Sequence, residues 1–450
     1  MPIGRRLWTL LLALTLIGAP AMVLRIVCAG RSCDAGNAQA QAAVPFCRLP
    51  KILRHEIAAG YRAGRSPDVM GATEGLGLVS TQVQPGVRVP WAGSDREPEG
   101  EVLPDTRVPI AFVGGGIRRG EVPAGSRLDV VASTLEGVTG LKRAHPEVRT
   151  GEPIPGVVAG GKPTPLVVVI AWKGLGTPDL EADRSAWPFL RRVMRAGAGT
   201  LEAATGSLPL DPAATITTIG TGGLPSAHGV TGTTIRRDDG RLAAAWSSDE
   251  AGSVIATFAD DLDRDTGERA RVAAILSDPA DRGIIGNGWY LEARDDDRVA
   301  IVDDVSRRPS ATARTVVRSE GLGTDRVTDM LGVVLRGRVR PVDAATAAIV
   351  RTIRAVVPGA TFAIAGTGSL SATGSADAAQ LARAVDSTLA AHVVAGLTAD
   401  GVFLDRDVLV QRSITSEQVA DALRRAGSST EQPHFSDVYP SFAVEFSRYC

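Results

Sequence analysis

The sequence predicts an α/β fold: a three-layer α/β/α sandwich around a mostly parallel central sheet. Three observations carry this. Leu166-Val167-Val168-Val169-Ile170-Ala171 is a continuous apolar run, as a central parallel strand covered on both faces requires. Strand-like and helix-like segments alternate from there onward, which implies parallel strands joined by crossover helices. A chain of 450 residues, 44% hydrophobic and 22% charged, can bury a large core and falls outside the disordered and collagen-like classes.

The chain opens with MPIGRR and an apolar run from Leu7 to Val23, the order of an export signal. The run is shorter than the roughly 20 residues of a comfortable membrane span. Small-x-small sites follow at Ala38-Gln39-Ala40 and Ala40-Gln41-Ala42. A cleaved signal and an uncleaved anchor both fit residues 1–42, and both place the protein outside the cytoplasm, secreted or membrane-anchored. Arg5-Arg6 is a weak twin-arginine hint. Cleavage near Ala40 would remove Cys28 and Cys33, leaving Cys47 and Cys450 as the one possible disulfide in an oxidising compartment, or as two free thiols.

Apolar residues at helical spacing (Ile52, Ile57, Ala58, Tyr61) predict an amphipathic helix over 52–64, and Ser66 to Val69 begins a strand. Residues 71–106 read as a long surface loop, Val108 to Val113 as a buried strand and Leu128 to Leu141 as a helix. Pro153 to Pro165 reads as an exposed, flexible linker dividing 43–152 from 166–450. Beyond the Leu166 strand, helices are expected at 188–196, 215–220, 253–262, 344–356 and 376–394. Strands are expected at 272–276, 299–302, 330–335, 361–365 and 442–446. Lys+Arg 49 against Asp+Glu 50, with no sustained basic stripe, argues against nucleic acid as a partner.

Thr221-Gly222-Gly223-Leu224-Pro225-Ser226-Ala227-His228-Gly229-Val230 carries the pattern TG-x-x-P-x-x-HG followed by Ile or Val. It resembles the nucleophile region of the nucleotide pyrophosphatase/phosphodiesterase branch of the alkaline phosphatase superfamily. Arg107 to Glu152 resembles that superfamily's closing segment, and 400–409 and 414–423 resemble its late strand and helix. The resemblance spans most of the chain if 166–450 is followed by 46–152, a circularly permuted order. It implies an alkaline-phosphatase-like sandwich, with Cys47 and Cys450 joined across the rotation point.

Members of that superfamily hold two metal ions on carboxylates and imidazoles at strand ends, which polarise the ester and activate a hydroxyl. Here Lys173 stands where the resemblance places the first metal-binding Asp. Counting back from His228 to the nucleophile reaches Pro212, or Asp211 with one insertion, and the nearest hydroxyls are Thr215 and Ser207. The Asp-x-x-x-His position begins at Asp329 but has no histidine. The Asp-His-Gly position reads Gly366-Thr367-Gly368, and the His of the last turn aligns with Ala92. The cleft candidates are therefore Lys173, Asp211, Thr215 and Thr367, with no catalytic or metal-binding residue expected among them.

The remaining features read as structural. Asp261-x-Asp263-x-Asp265 lacks the Gly and Glu of a calcium loop. Asp295-Asp296-Asp297 suits a solvated turn, and Gly114-Gly115-Gly116 lacks the helix and Lys of a phosphate cradle. The five histidines show no metal-ligand spacing, and no Gly-x-Ser-x-Gly elbow occurs. The expectation is an exported, catalytically degenerate relative that binds a ligand or protein of the cell envelope through the old active-site cleft and needs no cofactor. The alternative is an active phosphodiesterase or phosphatase using zinc or another divalent metal, with Asp179, Asp211, Asp303 and Asp304 available near strand ends. A purely structural protein, with a filled cleft, is a third reading.

Overall fold

The computed structural model describes residues 45–73, 88–92, 105–246, 252–287, 289–290, 297–304, 308–370, 372–398, 401–426, 435–446 and 450. The N-terminal block supplies α1 (Pro45–Arg48), α2 (Lys51–Gly60), β1 (Val69–Thr73), β2 (Arg88–Ala92), β3 (Arg107–Gly114), β4 (Gly120–Glu121) and α3 (Val130–Thr139). There follow β5 (Leu166–Lys173), α4 (Thr177–Ala182), α5 (Pro188–Ala196), β6 (Ala198–Ala204), α6 (Pro212–Thr221), α7 (Pro225–His228), β7 (Thr234–Arg236) and β8 (Leu242–Ala244). Next come α8 (Phe258–Thr266), β9 (Val272–Leu276), β10 (Arg298–Ile301), α9 (Pro309–Ser319), β11 (Asp329–Arg336), α10 (Val339–Val356) and β12 (Thr361–Gly366). The chain closes with β13 (Ala372–Asp377), α11 (Ala378–Leu389), β14 (Val394–Thr398), β15 (Gly401–Leu404), α12 (Arg406–Arg412), α13 (Ser416–Ala426), β16 (Phe435–Pro440) and α14 (Phe442–Glu445).

The main sheet has the order β10-β9-β11-β5-β12-β3-β6-β4. Strands β10, β9, β11, β5 and β12 are mutually parallel, and β3 runs antiparallel to both of its neighbours. Strand β5 shows why the sheet is covered twice. Leu166, Val168, Ile170 and Trp172 enter one core with residues of α5, α9 and α10. Val167, Val169 and Ala171 enter the other, with residues of α3, α6 and α8. With a side-chain period of two, an all-apolar strand feeds both faces. The architecture is the expected three-layer sandwich.

A second sheet, ordered β14-β15-β1-β16, packs against α11 and α13. The N-terminal block thus sends β1 into the small sheet and β3 into the large one, each between strands from later in the chain. Side chains fasten the same block to the rest. Asp261 Oδ2 accepts hydrogen bonds from Arg143 at 2.5 Å and Arg149 at 2.8 Å, and Tyr290 donates to Oδ1 at 2.5 Å. The aspartate that imitates a calcium loop is thus spent on two buried arginines.

Several expectations need correction. Phe442–Glu445 is a short helix, with Phe442 and Phe446 exposed, and the strand is the preceding 435–440. The Phe-Val-Phe spacing looked like alternation, but it also places the rings one turn apart. The helix expected over 376–394 is confined to 378–389, flanked by β13 and β14. The helix expected from Ser253 starts at Phe258, where Thr257 and Asp260 form a capping box. Residues 71–106 are not all loop, since β1 and β2 fall within them. The connector is not freely exposed: Ile154 and Val157 are buried in the second core, and Arg118 N donates to Val157 O at 2.8 Å.

Candidate functional site

The carboxyl ends of β9, β11, β5 and β12 form one rim, the edge at which open α/β sheets bind ligands. Lys173 closes β5 and pairs in register with Arg336 at the end of β11. Its side chain leaves on the face covered by α6. There Nζ lies 2.6 Å from Asp281 Oδ1, in the short 3-10 helix Pro279–Ile284 that follows β9. Asp281 is fully buried, and its other oxygen accepts the Ser277 hydroxyl at 2.6 Å. The lysine's charge is therefore neutralised within the protein.

Asp211 is the N-cap of α6. Oδ1 accepts Ala213 N at 2.7 Å and Ala214 N at 3.3 Å, while Oδ2 accepts Thr233 N and Oγ1, both at 3.0 Å. Burial pushes its carboxyl pKa up, and these hydrogen bonds oppose the shift without cancelling it. Thr215, one turn along, donates its hydroxyl to Asp211 O at 3.1 Å. Thr367 Oγ1 accepts Gly174 N at 2.8 Å and so ties the end of β12 to the end of β5.

The structure brings Lys173 and Thr367 together through Gly174. The Thr205–Leu210 segment reaches the same loop, because a Cβ on Gly368 would meet Leu210 Cδ2 at 3.2 Å and Thr205 Cγ2 at 3.3 Å. Ala92 lies farther along, paired with Ala372 in the β2–β13 ribbon. Gly366 is covered, since a Cβ there would stand 2.5 Å from Leu175 O. Asp211, Thr215 and Thr367 are all buried, and of the four candidates only Lys173 reaches solvent.

His228, from the motif that carried the resemblance, is fully buried. Its Nδ1 accepts Val230 N at 3.0 Å and its Nε2 lies 3.1 Å from Thr218 Oγ1. Thr218 spends its own proton on Ala214 O, so the neutral Nε2–H tautomer satisfies every partner. Burial, followed by the Arg62 charge, pushes its pKa down to about 3. Ser207 is fully buried, and its Oγ has no hydrogen-bond partner among the described residues. Asp179 caps α4 through Gly176 N at 2.8 Å, and Asp303 and Asp304 lie exposed beyond β10.

Sequence reasoning missed Asp281 and Ser277. Nothing in the spacing of Ser277-Asp278-Pro279-Ala280-Asp281 separates a buried ion-pair partner from an ordinary loop carboxylate. The rim donors do not suit a divalent cation, because an ammonium occupies the centre and the nearest carboxylates are already filled by N–H and O–H donors. Among the described residues no group of three His, Cys, Asp or Glu could hold a metal ion. Also among them, no helix is long and apolar enough to cross a membrane.

Cys47 and Cys450 form a disulfide, with Cα atoms 5.2 Å apart across a sequence separation of 403. No family model matches the chain, and no curated protein does. Two solved structures overlap it in part. A crystal structure of a multiply substituted alkaline phosphatase PafA covers 60% of this chain and 78% of its own, at 12% identity and TM-score 0.45. The wild-type PafA crystal structure covers the same shares at 13% identity and TM-score 0.44. Nothing about activity follows from overlaps at this level.

Proposed function

We propose that this chain is an exported, permuted relative of the alkaline phosphatase superfamily that has lost ester hydrolysis and acts by binding in the cell envelope. The Lys173–Asp281 pair carries the reading. An ammonium stands where the resemblance puts a metal-binding carboxylate, and a buried aspartate holds it there. Asp211, at the nucleophile position if one residue is inserted before His228, serves as a helix cap, and no hydroxyl is offered to a substrate in its place, because Thr215 is committed to the backbone and Ser207 is fully buried. Since Asp211, Thr215 and Thr367 are all buried, binding is assigned to the outer surface rather than to this rim. The disulfide is compatible with export.

The test is metal analysis of the purified chain together with turnover of nitrophenyl phosphate and of a nitrophenyl phosphodiester. Background turnover that added zinc or manganese leaves unchanged supports the proposal. Stoichiometric metal with metal-dependent turnover overturns it.

A further inference from the structure

Helices α9, α10 and α5 lie side by side on one face of the main sheet. Their inward positions are apolar, with Val316 and Val317, Ile349 and Ile353, and Leu190 and Val193 in the core. Their outward positions carry arginine: Arg314 and Arg318 on α9, Arg351 and Arg354 on α10, Arg192 and Arg195 on α5, all exposed. The three helices contain one carboxylate, Asp343, and it is buried, accepting Phe189 N at 2.9 Å and Leu190 N at 2.8 Å. Among the described residues none of the six arginines forms an ion pair. Arg340, at the start of α10, does so, with Asp183.

The chain as a whole has a net charge of −1, so this layer concentrates positive charge against the average. No stripe shows in the sequence because the arginines arise from three separated segments.

We propose that this helical layer docks on a bilayer containing anionic phospholipid. The charge is spread in two dimensions. Neighbouring helices stand about 8–10 Å apart, and α10, with 18 residues, runs for about 27 Å. A plane of headgroup phosphates matches that spread, whereas a linear polyanion fits a single groove or stripe, with aromatic faces for stacking if it is a nucleic acid. Guanidinium forks pair well with phosphate oxygens, and arginines near an anionic leaflet are drawn to its surface charge. The apolar run Leu7 to Val23, read from the sequence as an export signal or an anchor, would bring the chain to a membrane in either case. This inference goes beyond the loss of hydrolysis and holds whether or not the rim turns over an ester.

The test uses the full chain and vesicles of phosphatidylcholine, with or without phosphatidylglycerol, read by co-sedimentation at low and high salt. Any contribution of the N-terminal segment is common to both vesicles. The expected result is stronger partitioning onto the phosphatidylglycerol vesicles. The variant R192Q/R195Q/R318Q/R354Q, which leaves only Arg314 and Arg351 of the six, should lower that partitioning at least about tenfold and weaken its salt dependence. Thermal melts should show both variants folded, and R119Q/R269Q/R412Q/R425Q, placed off this face, should leave partitioning nearly intact. Equal partitioning onto both vesicles, or equal losses in the two variants, overturns the proposal. Retention on a heparin column that the first variant abolishes, with no gain from phosphatidylglycerol, also overturns it and points to a polymer.

Discussion

Lys173 Nζ sits 2.6 Å from Asp281 Oδ1, joining the end of β5 to the turn after β9 across the intervening strand β11. Removing the lysine leaves a buried carboxylate that, among the described residues, only the Ser277 hydroxyl supports. Lys173→Met should therefore destabilise the fold by about 2–4 kcal/mol, somewhat under the usual cost for a buried pair because the lysine keeps some solvent contact. The double variant K173M/D281L should recover most of the loss in urea unfolding. A single variant as stable as wild type would show that the pair is not formed in solution.

Asp211 offers a contrast between two substitutions. Asp211→Asn keeps an acceptor for the α6 amides but turns an Nδ2–H2 donor toward Thr233 N, which loses its acceptor, so it should cost about 1 kcal/mol. Asp211→Ala removes the cap and also strands Thr233 N in a half-buried position, for about 2–3 kcal/mol in total. Urea midpoints measure both. Equal costs for the two variants would contradict the capping role.

What the sequence made legible tracks how local the cause is. Strand β5 could be read because burial on both faces leaves an unbroken apolar run, and α5 because Pro188 opens it. Phe442–Phe446 reads as a strand, yet Phe442–Glu445 folds as a helix, because the spacing of Phe442, Val444 and Phe446 fits either period. The motif Thr221 to Val230 is legible, yet the hydrogen bonds of its His228 to Val230 and Thr218 depend on packing. The Lys173–Asp281 pair joins residues that touch only because β9, β11 and β5 are neighbours. The arginine layer was hidden for the same reason, scattered over three segments that only the fold aligns.

Two buried groups, His228 and Asp260, should contribute opposing pH dependences to stability. The folded pKa of His228 is about 3, below its ordinary value, so its neutral form is favoured on folding. That stability is fully present above about pH 6.5 and is lost as pH falls toward 3, by about 1.4 kcal/mol per unit. Asp260 is raised to about 6 by burial, so stability falls as pH rises from about 4 to 6. The two slopes oppose one another between pH 4 and 6. His228→Gln should make the protein gain stability on acidification through that window relative to wild type, whereas Asp260→Asn should steepen the acid loss. Thermal midpoints measured across pH 3 to 8 decide this. Parallel curves for all three proteins would refute it.

Cys47 lies in α1 and Cys450 is the last residue, so their bond closes nearly the whole described chain into one loop with a separation of 403. In the chain-entropy model a loop of that length is worth about 6 kcal/mol, while removing native disulfides typically costs about 2–5 kcal/mol. The bond is not the only link between the two ends. Phe46 stacks edge-on to Tyr439 with ring centroids 5.1 Å apart, and both pack with Leu53, Ala443 and Val444. C47A/C450A should therefore still fold, with its β-sheet circular dichroism retained, but should unfold at a lower denaturant midpoint. Wild type under reducing conditions should match the variant. A midpoint unchanged by either treatment would mean that the apolar cluster alone fixes the two ends.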